Sequence, residues 1–148
     1  MHEIKTEIEI DAPPEVVWDV LTDLEQYPRW NPFITSAIGQ PVLGERLTNR
    51  IEPPGGKAMT FKPTVTAVDS GQHLEWLGRL GLPGVFDGRH RFELHAANGA
   101  TRLVHGEVFK GVLVPFMRKS LDGQTRAGFE AMNTALKERA EAMVEGQE

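Results

Sequence analysis

Two alternating segments, residues 88–96 and 101–109, are separated by Ala97-Asn98-Gly99-Ala100. No other feature of the chain restricts its fold so tightly. Asn-Gly favours a two-residue type I′ turn, whose positive φ angles suit the right-handed twist of the flanking strands. Such a turn fixes the register, so that Leu94 faces Leu103, Phe92 faces His105 and His90 faces Glu107. Side chains alternate with period two, so these six residues share one face. Leu94, Leu103 and Phe92 make that face the one expected to look inward. The opposite face pairs His95 with Arg102, Glu93 with Val104 and Arg91 with Gly106, and is more polar. Imidazoles and a carboxylate are thereby expected on the wall of an apolar interior.

The remaining chain supplies partners for this hairpin. Ile4, Ile8 and Ile10 alternate with Lys5, Glu7 and Glu9, which reads as a half-buried strand over residues 5–10. Pro14 suits the first turn of a helix, where its missing N–H would be unpaired anyway. Val16, Val17, Val20, Leu21 and Leu24 then recur at helical spacing. Pro28 and Pro32 leave room for only one more turn, with Trp30 held between them as a structural plug. Strands are expected over residues 34–38, 45–51, 57–68 and 73–78, with Pro63 marking an edge or a bulge. Pro115 opens a long helix that should run to about Val144, with Gly146 beyond its end. Its apolar stripe is expected to include Met117, Leu121, Gly128, Met132, Leu136 and Met143. Strands segregated from one long helix make an α+β fold.

Bulk properties exclude several classes. At 148 residues, with 40% hydrophobic and 25% charged residues, the chain reads as one domain over residues 1–148. The net charge of -5 and scattered basic residues argue against a nucleic-acid partner. Absence of cysteine removes disulfides, thiolate chemistry and Cys-ligated metals. The charged N-terminus lacks an apolar core like that of a signal peptide, and no apolar run is long enough to span a bilayer. A cytoplasmic protein without stable membrane insertion, a monomer or a homodimer, is expected.

The element order, together with APPEVVWDVLTDLEQYPRWNPF (12–33), DGRHRFEL (87–94), TRLVHGEVFKG (101–111) and GFEAMNTALKERAE (128–141), resembles the START-like helix-grip superfamily, the fold of the birch-pollen allergens. Within it the chain is similar to the polyketide cyclase/dehydrase and lipid-transport group. The resemblance covers essentially the whole chain. It implies a curved antiparallel sheet of six to seven strands wrapped around the C-terminal helix, two short helices between strands 1 and 2, and a deep apolar cavity. Its members include cyclases, lipid carriers, coenzyme-Q-binding proteins and chaperone activators, so fold alone does not select an activity.

The candidate site residues follow from the strand faces. Asn49, Phe61, Trp76, Phe92, Phe129 and Met132 should meet a hydrophobic ligand of lipid, polyketide or isoprenoid type held between sheet and C-terminal helix, and His90, His105 and Glu107 should meet its polar end. The glycine-rich loop from Gly78 to Gly88 reads as a lid whose Leu80, Leu82 and Phe86 touch the ligand, or as a simple cap on the core. His90 and Glu107 are the candidates for proton transfer in a cyclase or dehydratase. The plainer alternative is that they only satisfy each other in the wall. Three further expectations are that no cofactor is needed, that the histidines hydrogen-bond rather than bind metal, and that a third functional class is a partner-binding module acting through its surface.

Overall fold

The computed structural model describes residues 1–146. Strand β1 (His2–Ile10) leads through Pro13 into helix α1 (Pro14–Thr22), which buries Val17, Val20 and Leu21. A 3-10 turn (Leu24–Gln26) and the one-turn helix α2 (Tyr27–Trp30) follow. Asn31 ends α2 and starts the next strand. Its Oδ1 accepts the backbone N–H groups of Phe33 at 3.0 Å and Ile34 at 2.9 Å, donors that would otherwise be buried without partners. Trp30 and Tyr27 pack in a T-shaped arrangement, with ring centroids 5.2 Å apart, and Trp30 is half-buried at the core margin.

Strands β2 (Ile34–Ile38), β3 (Thr48–Ile51) and β4 (Met59–Phe61) form one antiparallel group. The larger group runs β1-β8-β7-β6-β5, with β5 (Thr64–Asp69), β6 (His73–Arg79), β7 (Asp87–Ala97) and β8 (Ala100–Lys110). Backbone bonds from Leu47 N to Pro63 O and from Val65 N to Glu45 O, both 2.8 Å, join the two groups into one curved surface. The β7–β8 hairpin has the expected register, with His90 opposite Glu107, Phe92 opposite His105 and Leu94 opposite Leu103. Asn98 and Gly99 have φ of 54° and 85°, as a type I′ turn requires.

Two strand boundaries and the number of strands differ from expectation. The strand expected over residues 57–68 is two strands, because Pro63 has no N–H to continue the ladder and the chain passes from one group to the other there. The strand expected from residue 45 is regular only from Thr48, with Arg46 making a single bridge to Thr64. Eight strands result among the described residues rather than six or seven.

The C-terminal helix comprises α3 (Val114–Ser120), a π-helical turn (Leu121–Thr125) and α4 (Arg126–Gly146). It crosses the concave face of the sheet. Gly146 is its last described residue rather than lying beyond it. The buried stripe of α4 advances through Phe129, Met132, Asn133, Leu136 and Ala140 towards partly buried Val144. Met143 lies one position off that stripe and is exposed. At Gly128 the helix receives the ring of Phe33, where a Cβ would come within 2.3 Å of it.

Candidate functional site

A cavity of about 170 Å³ opens between the sheet and the first half of the C-terminal helix. Trp76, Phe61, Phe86 and Phe109 supply aromatic walls. Asn49 enters from β3 on the smaller group, and His90 and Glu107 enter from the hairpin. The π-helical turn brings Leu121, Gln124 and Thr125 to the cavity, and the wider turn then passes Phe129 and Met132 to the core. Such insertions in helices recur at functional sites.

Behind the cavity wall runs a buried polar chain whose direction is fixed from one end. The Thr6 hydroxyl donates to the His105 carbonyl at 2.8 Å. A carbonyl cannot donate, so Thr6 Oγ1 must accept from Asn133 Nδ2, also at 2.8 Å. Asn133 therefore turns Oδ1 towards His105 and accepts its Nδ1–H at 2.8 Å. The His105 ring is fully buried, stacked against Phe129 at 4.2 Å and Phe92 at 4.4 Å. Burial, followed by the His90 ring beside it, holds His105 well below the ordinary value of 6.5; the bond to Asn133 opposes this and does not overcome it. Neutral His105 then has a bare Nε2, which accepts from His90 Nε2 at 2.7 Å. His90 Nδ1 faces Glu107 Oε1 at 3.1 Å. Two lone pairs at that separation repel, so one proton lies between them.

Glu107 ends this chain at the cavity. Its Oε2 stands over Gly88, where a Cβ would be 2.2 Å from the oxygen. Residue 88 has no positive φ; a side chain there would push the Glu107 carboxylate out of this position. The second polar feature is Asn49, which is 1% exposed and whose Oδ1 has no hydrogen-bond partner. A buried amide oxygen left unpaired costs about 1–3 kcal/mol, which marks Asn49 as the polar group of this wall without a protein partner.

The expected site residues divide into two groups. Asn49, Phe61, Trp76, Leu80, Phe86, His90 and Glu107 line the cavity together. Phe92, His105, Phe129 and Met132 do not reach it; they are buried at 0% exposure in the layer behind. Leu82, expected on the ligand, is 75% exposed on the outside of its loop. The loop is tied down by Val112 N to Gly84 O at 3.0 Å and Leu113 N to Val85 O at 3.1 Å. Asn133 and Thr6 were not anticipated. Each is a single polar residue on an otherwise apolar face, Asn133 between Phe129 and Leu136 and Thr6 between Ile4 and Ile8. That interruption is the signal that identifies them. Among the described residues, no three of His, Cys, Asp or Glu are grouped to hold a metal ion, and no helix is long and apolar enough to cross a membrane.

Residues 1–141 match the family described as polyketide cyclase / dehydrase and lipid transport. No curated protein matches the chain in sequence. Among solved structures, the Zhui aromatase/cyclase from Streptomyces sp. R1128 superposes with a TM-score of 0.78 at 18% identity, covering 97% of this chain and 95% of that one. A protein from Thermus thermophilus gives 0.77 at 19% identity, covering 96% and 99%. A START superfamily protein from Mycobacterium smegmatis gives 0.72 at 23% identity, covering 97% and 99%.

Proposed function

We propose that this chain, which belongs to the polyketide cyclase / dehydrase and lipid transport family, binds a small hydrophobic molecule of one or two rings, or a short chain, in the cavity between sheet and helix. The family and fold support hydrophobic ligand binding or cyclase-like activity at the coarse level. The cavity's size carries the finer reading. An apolar cavity of about 150 Å³ holds a benzene ring, whereas drug-sized ligands occupy about 300–1,000 Å³. At about 170 Å³ this cavity fits the smaller class, and a four-ring skeleton would require its walls to part. Affinity would come from burial of apolar ligand surface, about 0.8 kcal/mol per CH₂. Orientation would come from Glu107 and Asn49, with His90 holding the Glu107 carboxylate in place. Phe92, His105, Phe129 and Met132 would act from behind, by holding the wall.

One observation favours a second reading. The proton shared by His90 Nδ1 and Glu107 Oε1 lies at the cavity wall, within reach of a bound substrate. A pair of this kind can give and accept a proton at one substrate atom, as a cyclase or dehydratase requires. A partner-binding module acting only through its surface is disfavoured, because it has no use for an unpaired amide inside an open cavity.

Native mass spectrometry of the purified protein, combined with thermal melts against one- and two-ring compounds, tests the binding reading. A ligand at a hundredfold its Kd adds about 2.7 kcal/mol, which raises Tm by about 5–10 °C in a chain of this length. A protein that carries nothing and melts unchanged across the set would rule the reading out.

A further inference from the structure

We infer that the cavity selects a hydrogen-bond donor, so that its ligand is a hydroxylated ring compound of phenol type rather than a carboxylate or a ketone. This rests on the proposal that the cavity binds a small hydrophobic molecule, and it names the polar group that molecule must carry.

The inference follows from where the hydrogens of the buried chain are used. Thr6, Asn133 and His105 donate to one another and to a backbone carbonyl, away from the cavity. His90 Nε2–H is used on His105. The remaining proton lies between His90 Nδ1 and Glu107 Oε1. No hydrogen of this chain is left to point at a ligand. What Glu107 offers the cavity is the lone pairs of Oε2, over Gly88. Asn49, on the other strand group, offers an unpaired Oδ1 from a side chain that is 1% exposed. Glu107 is therefore an acceptor at the cavity wall, and Asn49 lines the same cavity with an amide that can accept through Oδ1 and donate through Nδ2, so Glu107 decides which ligand group is taken.

A ligand hydroxyl gives its hydrogen to either oxygen and relieves it. A ligand carbonyl or ether brings only lone pairs to Glu107 Oε2 and leaves that carboxylate without a donor, even where it accepts from Asn49 Nδ2. A ligand carboxylate adds negative charge beside Glu107. Lys57 also lines the cavity, but it is exposed at the rim, where water screens it, and it does not reverse the sign of the interior. Sites built to bond a hydroxyl discriminate strongly against analogues that lack one, because their own buried groups are then left unpaired.

Four probes of nearly one shape separate the possibilities: naphthalene, 2-naphthol, 2-methoxynaphthalene and 2-naphthoate. Titration calorimetry at pH 7.5 should find 2-naphthol at least about tenfold tighter than naphthalene or its methyl ether, with 2-naphthoate weakest. Asn49→Ala and Glu107→Gln should each cut the ratio of naphthol to naphthalene affinity by about threefold or more, and Glu107→Gln should improve 2-naphthoate. Equal affinity for naphthol and its methyl ether overturns the donor inference and leaves the binding proposal standing. So does tightest binding of naphthoate, which would assign the polar end to Lys57. If none of the four binds, the binding proposal itself fails.

Discussion

The His105→Phe variant should lose less stability on acidification than the parent protein. Its ring would keep the stack between Phe92 and Phe129, which pack at 4.4 and 4.2 Å, and would remove only the titration. In the parent, burial and the neighbouring His90 hold His105 well below 6.5. The unfolded chain takes up that proton at about 6.5. As pH falls through this value the unfolded state gains a proton that the folded state refuses, so stability falls with falling pH. For one such group the loss between pH 7.5 and 5.0 is about 2 kcal/mol. That corresponds to about 4–8 °C in Tm. The groups facing His105, namely His90 and Arg91 on β7 and Asn133 on α4, are common to both proteins. At pH 7.5 the variant should be less stable by about 2–6 kcal/mol, because His90 Nε2–H and Asn133 Oδ1 lose their partner. The double variant His105→Phe/Asn133→Leu should recover about 1 kcal/mol of that, since one stranded group is gone. Urea unfolding at stepped pH measures all three. The gap between parent and single variant must narrow by about 2 kcal/mol from pH 7.5 to 5.0. A gap that stays constant refutes the neutral, buried His105 and, with it, the direction assigned to the polar chain.

Two further predictions test the scaffold. Tyr27 is the one tyrosine of the chain, fully buried with its hydroxyl bonded to the Leu21 carbonyl, and burial raises it far above its ordinary value of 10.0. Tyrosinate absorbance should therefore appear only with the loss of folded circular dichroism in alkaline titration; tyrosinate in a still-folded protein contradicts this placement. Gly128→Ala should lower stability by about 1–3 kcal/mol, because its Cβ meets the Phe33 ring. A rise in Tm, as helix propensity alone predicts, would mean the ring does not pack there.

Much of this architecture was legible because it rests on local rules. Asn98-Gly99 set the register of eleven paired positions, and with it the meeting of His90 and Glu107. The features that escaped depend on tertiary context. Pro63 signalled a disturbance, but only the path of the chain between strand groups decided that it separates two strands. Nothing local marks the π-helical turn at Leu121–Thr125, so the face on which Gln124 and Thr125 emerge was hidden. A strand-face argument also cannot tell the layer that touches a ligand from the layer behind it. Phe92 and His105 share the inward face with His90, yet Phe129 stacks on His105, His105 stacks on Phe92, and neither residue lines the cavity. Thr6 and Asn133 were visible as single polar interruptions of apolar faces, and their meaning emerged only once helix and sheet were packed together.

The central claim is that a small hydroxylated ring enters the cavity between sheet and helix, and the methionine methyl groups report on it directly. Met59 and Met117 line that cavity, Met132 is sealed in the core behind it, and Met1 and Met143 are exposed elsewhere. In a carbon-13 methyl NMR titration with 2-naphthol, the signals of Met59 and Met117 should move and saturate together while those of Met1 and Met143 stay fixed. Saturable movement at Met1 or Met143 with none at Met59 and Met117 would contradict the account.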